Sequence, residues 1–243
     1  MNYRTLADMA ALIRSNIHRI PRVDCVVGIP RSGMIAAGMI ATLTNQKLRT
    51  LSQLGGATLE SILLVDDSIA GGETMQHALK WAMEWNPKAT ITTLAVFIKS
   101  VTHQPNIYFE LVPGPRVFEW NWHRSKYLPS AILDIDGVIS TPTNPGEREK
   151  GRLLYRPARA PLALATGRWE CDRDATTNWL RQNGIEYGRL FMSGEARRGQ
   201  ETKVQACELF KPKWFVESSA FQAEYIRART RLPVLCVDSN VML

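Results

Sequence analysis

The segment Ile62–Met75, ILLVDDSIAGGETM, constrains the fold more than any other stretch of this 243-residue chain. Four apolar residues lead into Asp66 and Asp67, and a small-residue turn follows through Ala70, Gly71 and Gly72. Met75, Leu79, Ala82 and Met83 then recur at helical spacing until Asn86-Pro87 stops them. An uninterrupted apolar run that turns directly into an amphipathic helix is the pattern of a strand buried on both faces of a parallel sheet. Glycines in such a turn let several backbone N–H groups close on one phosphate, and the helix N-terminus adds partial positive charge. Two neighbouring acids at the strand's end suit vicinal hydroxyls, directly or through Mg²⁺, because both need hard oxygen acceptors.

The same alternation runs along the whole chain. Cys25–Ile29 is a short apolar strand closed by Pro30-Arg31-Ser32-Gly33 and followed by a small-residue helix, and Thr90–Ile98 is a β-branched third strand. Residues 1–17 place Leu6, Met9, Ala10 and Ile13 at helical spacing without a signal peptide's apolar core. A second series offers strands at Ala131–Asp134, Pro161–Ala165, Arg189–Met192, Trp214–Val216 and Val234–Val237. Lys126–Ser130, with its proline, is the expected linker. The fold class is therefore α/β, with two domains, 1–127 and 128–243, each a parallel-sheet Rossmann-like fold.

With 45% hydrophobic and 22% charged residues, disorder is excluded, and a net charge of +7 favours an anionic partner without choosing between a phosphorylated metabolite and a nucleic acid. Cys25, Cys171, Cys207 and Cys236 form no CxxC pair, so neither a zinc knuckle nor a disulfide framework is expected, and the default location is cytoplasmic. No apolar run is long enough to cross a membrane.

The acidic segment resembles the signature of type I phosphoribosyltransferases. That resemblance implies that Asp66 and Asp67 hold the ribose hydroxyls of phosphoribosyl pyrophosphate, with Asp67 counted as catalytic, and that Ala70, Gly71, Gly72, Glu73 and Thr74 cradle its 5′-phosphate. Val27–Met34, VGIPRSGM, looks like the family's pyrophosphate loop, with Arg31, Ser32 and Gly33 against the diphosphate. The run AVFIK…YFELVPGPRVFEWNWH is similar to the last strand and hood of xanthine-guanine-type members. It implies Lys99 on an exocyclic oxygen of the base and Phe118 or Trp120 stacked on its ring. The same residues also read as core aromatics and a solvated strand end. Purine-type enzymes carry a third acid where this chain has Ala70, and orotate-type enzymes lack it too. The family's flexible loop falls within residues 45–61, where Lys47 and Arg49 are the cations.

In the second series, Asp134-Ile135-Asp136 follows a strand, and two carboxylates so spaced can divide nucleophilic attack from proton transfer. Leu164–Arg168 (LATGR), Lys203 at a helix start and Trp214–Ser218 (WFVES) follow in order. This order resembles the haloacid dehalogenase superfamily, in particular its small-cap members such as the phosphatase domain of polynucleotide kinases. The resemblance implies Asp134 as nucleophile, Asp136 as general acid/base, Thr166 and Lys203 on phosphate, and Mg²⁺ held by Asp134, Asp136 and Glu217. Active relatives offer two acids in the last segment, where Ser218 and Ser219 follow Glu217 here. Arg148, Lys150, Arg152, Arg156 and Arg159 lie close by as a solvated face or a lure for a polyanion.

The expected whole is a bifunctional enzyme: a phosphoribosyltransferase joining phosphoribosyl pyrophosphate to a nucleobase, and a Mg²⁺-dependent phosphomonoesterase acting on a phosphomonoester such as a nucleotide. A homodimer is compatible with it. Two other readings stand beside it: a non-catalytic sensor of phosphoribosyl pyrophosphate or a nucleotide, and a nucleic-acid end-processing phosphatase. The last is disfavoured because no aromatic-basic stripe accompanies the charge.

Overall fold

The computed structural model describes residues 1–56, 58–194 and 198–243. The chain divides into two compact units, Met1–Trp120 and Asn121–Leu243. Lys126–Ser130 thus belongs to the second unit instead of linking the two. Leu128 is buried there, the Trp214 indole donates to the Tyr127 carbonyl at 3.0 Å, and the Lys213 N–H donates to the Ser130 carbonyl at 2.8 Å.

The first unit is built on β1 (Asn2–Arg4), α1 (Leu6–Ser15), β2 (Cys25–Gly28), α2 (Gly33–Thr44), β3 (Leu48–Thr50), β4 (Ser61–Ile69), α3 (Glu73–Trp85), β5 (Thr90–Ile98), β6 (Ile107–Leu111) and β7 (Arg116–Phe118). Its main sheet has the order β3-β2-β4-β5-β6 and is parallel throughout, while β1 and β7 form a separate parallel pair. Alternation along β4 feeds both cores. Leu63 and Val65 pack with Met9, Ile13, Ala36 and Ile40 on one face, and Ile62 and Leu64 pack with Met75, Ala78 and Ala82 on the other. Helix α1 starts on a Thr5/Asp8 capping box, and α3 ends at Asn86 before Pro87.

The chain lays β3 on one side of β2 and β4 on the other, so the strand order reverses between β2 and β4. A crevice opens at the carboxyl ends of two strands that part in this way, and it is where open α/β sheets bind ligands. The acids lie there for a reason the sequence pattern did not show. β4 does not end at Asp66; it runs on to Ile69, paired with β5 through Ile69↔Ile98, while its pairing with β2 stops at Gly28↔Val65. Asp66 and Asp67 therefore begin where one neighbouring strand has left the sheet.

The second unit contains β8 (Ala131–Leu133), β9 (Ala163–Trp169), α4 (Arg173–Gln182), β10 (Leu190–Ser193), α5 (Gly199–Phe210), β11 (Trp214–Glu217), α6 (Ala220–Thr230), β12 (Val234–Cys236) and β13 (Val241–Met242). The sheet order is β10-β9-β8-β11-β12-β13, with the reversal between β8 and β11. Five strands are parallel, but β13 folds back antiparallel on β12 (Leu235↔Met242), so this sheet is mixed and not purely parallel as expected. So short a connection permits only an antiparallel return. One face buries Ile132, Ala165, Phe215 and Val234 under Ala206 and Cys207 of α5 and Ala223 and Ile226 of α6. Among the described residues, no helix is long and apolar enough to cross a membrane.

Helix α2 can approach β4 closely because its first residue has no side chain. A Cβ at Gly33 would lie 2.8 Å from the Val65 carbonyl oxygen and 2.9 Å from Asp66 Oδ1, whereas one at Gly38 would meet only Leu48 Cδ2 at 4.0 Å. Gly33→Ala is expected to cost about 1–3 kcal/mol in urea unfolding. Gly38→Ala, in the same helix, should instead add about 0.5–1 kcal/mol.

Candidate functional site

In the first unit the reversal point gathers the segments that the sequence singled out. Asp66 and Asp67 are both buried, and the Asp67 N–H donates to Asp66 Oδ1 at 2.9 Å. The N-terminus of α2 abuts Asp66 through Gly33. Asp66, Ala70, Gly71, Gly72, Glu73 and Thr74 line one cavity of about 140 Å³. Gly72 has φ +92°, which only glycine adopts readily, and it turns the chain from β4 into α3. The Glu73 carboxylate folds over Gly71, 2.5 Å from where a Cβ would stand.

Arg31 is exposed just before α2, and its side chain has no hydrogen-bond or ion-pair partner among the described residues. Ser32 occupies the N-cap position of α2 without a side-chain capping bond. Lys99 is exposed at the end of β5, and its N–H donates to the Ile69 carbonyl at 2.9 Å, which ties it to the small-residue turn. Arg49, in contrast, donates to the Gln53 carbonyl at 3.0 Å, and the residues around it form β3 and a turn at Leu51–Leu54.

The two aromatics divide. Phe118 is buried in the core cluster beside Phe97, at 5.3 Å between ring centroids. Trp120 is half-buried and stacks on Phe118 at 4.9 Å, and its indole N–H donates to Asp67 Oδ2 at 2.8 Å. That bond spans 53 residues, so no local signal in the sequence could have shown it. Burial, then the neighbouring Asp67 charge, pushes the Asp66 carboxyl up to about 8. Burial also raises Asp67, against the hydrogen bond from Trp120. Among the described residues neither carboxylate has a cationic partner. Such a pair fits hydroxyl donors, or the Mg²⁺ that accompanies a diphosphate.

The second unit gathers its own set at the β8/β11 reversal. The buried Lys203 ammonium donates to Asp134 Oδ2 at 2.8 Å, Glu217 Oε2 at 2.6 Å and Gln222 Oε1 at 2.7 Å. Burial lowers the lysine's basicity, but Asp134 and Glu217 outweigh it and hold the ammonium protonated. Burial pushes the Asp134 carboxyl well up, with Lys203 opposing. Thr166 is buried in β9, and its Oγ1 accepts the Arg168 N–H at 3.2 Å.

Asp136 stands apart from that cluster. Its carboxylate is held by the Arg168 guanidinium fork at 2.8 and 2.9 Å, and Arg168 is itself buried with Ser140 and Thr176 as further partners. Arg168, Ser218 and Gln222 are site residues that the sequence reading missed. An arginine inside a buried strand was the available signal, because a buried guanidinium requires an acid. Arg148 is not part of a solvated face: it is buried and paired with Asp172 at 2.8 Å.

No protein-family model matches the chain, and no curated protein matches it. Solved structures similar to it include a purine phosphoribosyltransferase from Pyrococcus horikoshii, at 18% identity and TM-score 0.42, with 49% of this chain and 92% of that one covered. A xanthine-guanine-hypoxanthine phosphoribosyltransferase from Helicobacter pylori is similar at 14% identity and TM-score 0.44, covering 49% and 90%. A hypothetical protein from Neisseria gonorrhoeae with bound ppGpp is similar at 15% identity and TM-score 0.41, covering 49% and 89%.

The raised Asp66 carboxyl sets a pH dependence. The folded state holds this proton more tightly than the unfolded chain, so stability is fullest below pH 4 and falls as pH rises toward about 8. Shared with Asp67, the loss across that window is on the order of 2–4 kcal/mol. Asp66→Asn removes the Asp66 share of the slope and leaves what Asp67 contributes. Thermal unfolding should show the variant about 5 °C or more above wild type at pH 8, with the gap closing toward pH 4.

Proposed function

We propose that the first unit transfers phosphoribose from phosphoribosyl pyrophosphate to a nucleobase and releases pyrophosphate. The observation that carries this reading is the meeting, at one sheet reversal, of two buried adjacent carboxylates, a glycine turn opening α3, and the Arg31–Gly33 turn opening α2. The carboxylates of Asp66 and Asp67 accept hydrogen bonds from the two ribose hydroxyls. Backbone N–H groups from Ala70 to Thr74 take the 5′-phosphate at the positive end of α3. Arg31 and Ser32 face the diphosphate.

In the transfer the bond from the anomeric carbon to the pyrophosphate oxygen breaks, and a bond to a ring nitrogen of the base forms. The nitrogen's proton leaves to solvent. Catalysis is then mainly positioning and neutralisation of the leaving diphosphate, to which Mg²⁺ brought in with the substrate contributes charge. Trp120, not the core residue Phe118, is the ring we place against the base, with Lys99 on an exocyclic oxygen.

For the second unit we propose phosphomonoester hydrolysis at Asp134, supported by the convergence of Asp134, Lys203 and Glu217 at the β8/β11 reversal. An Asp134 oxygen attacks phosphorus, the ester P–O bond breaks, and the leaving alkoxide takes its proton from solvent, because both Asp136 carboxylate oxygens accept from Arg168. Water then cleaves the aspartyl-phosphate and releases inorganic phosphate. The sensor reading is favoured by one observation in the first unit: the segment before β4 is spent on β3 and a capped turn with Arg49 tied to Gln53.

Phosphorus NMR of the purified chain with Mg²⁺, phosphoribosyl pyrophosphate and a panel of nucleobases separates these readings. Pyrophosphate should appear with one base and be lost in the double variant Asp66→Asn/Asp67→Asn. Inorganic phosphate should then grow from the nucleotide and be lost in Asp134→Asn. A broadened substrate signal with no turnover across the panel would instead establish the sensor.

A further inference from the structure

The resemblance that suggests a phosphatase also implies a divalent cation between Asp134, the Asp136 carbonyl and Glu217. A hard dication needs about six oxygen ligands with lone pairs turned toward it. In the second unit each of those oxygens already accepts at least one hydrogen bond. Asp134 Oδ1 accepts the Ile135 N–H at 2.8 Å and Oδ2 accepts Lys203. Glu217 is fully buried; its Oε1 accepts the N–H groups of Ser218 and Ser219 at 3.0 and 3.1 Å, and its Oε2 accepts Lys203. The Asp136 carboxylate is gripped by Arg168.

The remaining ligand is the Asp136 carbonyl, and the Ser218 hydroxyl donates to it at 3.0 Å. That hydroxyl is wedged against Gly137, whose φ is +82° and whose Cβ, if it had one, would lie 2.3 Å away. A serine therefore fills the position from which a carboxylate one residue beyond Glu217 would reach a cation on the Asp136 carbonyl. Lys203 spends all three of its donors on Asp134, Glu217 and Gln222, so the cluster already contains its own cation at hydrogen-bond distance from both acids. A dication placed among them would be repelled by the ammonium at short range in a poorly screened interior. Among the described residues, no group of three His, Cys, Asp or Glu side chains is arranged to hold a metal.

We infer that the Asp134/Glu217 cluster does not hold a divalent cation: Lys203 is its resident counter-charge, and Ser218 is the residue that excludes the metal. The inference uses the proposed phosphatase reading only to locate the site. It concerns metal occupancy and not turnover, so it stands or falls whether or not a phosphomonoester is hydrolysed.

The test is titration of the full chain with Mn²⁺, without substrate, followed by electron paramagnetic resonance of free Mn²⁺ and by thermal unfolding. Asp134→Asn serves as the reference that lacks one ligand of the site. Wild type and Asp134→Asn should deplete free Mn²⁺ equally across the micromolar to millimolar range. Ser218→Asp should gain one saturable site, with at least tenfold tighter Mn²⁺ binding than wild type and a Mn²⁺-dependent rise in Tm, and should lose both when combined with Asp134→Asn. A saturable site in wild type that disappears in Asp134→Asn would overturn the inference. A Ser218→Asp protein that folds, shown by a cooperative unfolding transition, yet gains no site would overturn the role given to Ser218.

Discussion

Two carboxylates carried into a sheet covered on both faces set the terms for the first unit. β4 must be apolar to be buried, yet it continues past Val65 with Asp66 and Asp67 before it ends. Desolvating two adjacent acids is tolerable only where something else answers them, and the molecule supplies a partial answer from three directions. The strand β2 stops short and leaves room, the glycine at the head of α2 lets that helix press against Asp66, and the Trp120 indole donates to Asp67. Burial outweighs these partial answers and leaves both acids hard to ionise; the ribose hydroxyls proposed above would supply the rest.

The second unit meets the same constraint with a different solution. Its buried acids are answered from within by Lys203, which Gln222 also holds, and by three backbone N–H groups, and its second aspartate by a buried arginine. Removing one partner from such an arrangement leaves an uncompensated buried charge, whereas the full set is self-consistent. One chain thus holds an acid pair without an internal cation at one sheet reversal and an acid pair neutralised by its own lysine at another.

Much of this could be read from the sequence, and the boundary of what could is physical. Strands buried on both faces announce themselves as apolar runs, so β2, β4, β5 and the core of the second sheet were legible, as was the stop of α3 at Asn86-Pro87. The edge strands β3 and β6 were not, because LRT and IYFEL keep their side chains partly in solvent and carry no such run. The antiparallel β13 is two residues long and left no pattern. At the sites, the local segments with acids, glycines and a Thr or Lys were visible, but the groups that answer the acids lie far along the chain. Trp120 reaches Asp67 across 53 residues and Ser218 reaches Asp136 across 82. The close approach of Gly33 to the Val65 carbonyl and Asp66 is likewise a contact across the fold that no local pattern announces.

The central claim is that the acid pair at the β2/β4 reversal is a binding site for the ribose of phosphoribosyl pyrophosphate. Isothermal titration of that ligand with Mg²⁺ into the full chain tests it most directly. One saturable site is expected in wild type, weakened by tenfold or more in Asp66→Asn/Asp67→Asn and unchanged in Asp134→Asn. Binding that survives the first substitution pair intact, or that is lost with Asp134, would contradict it.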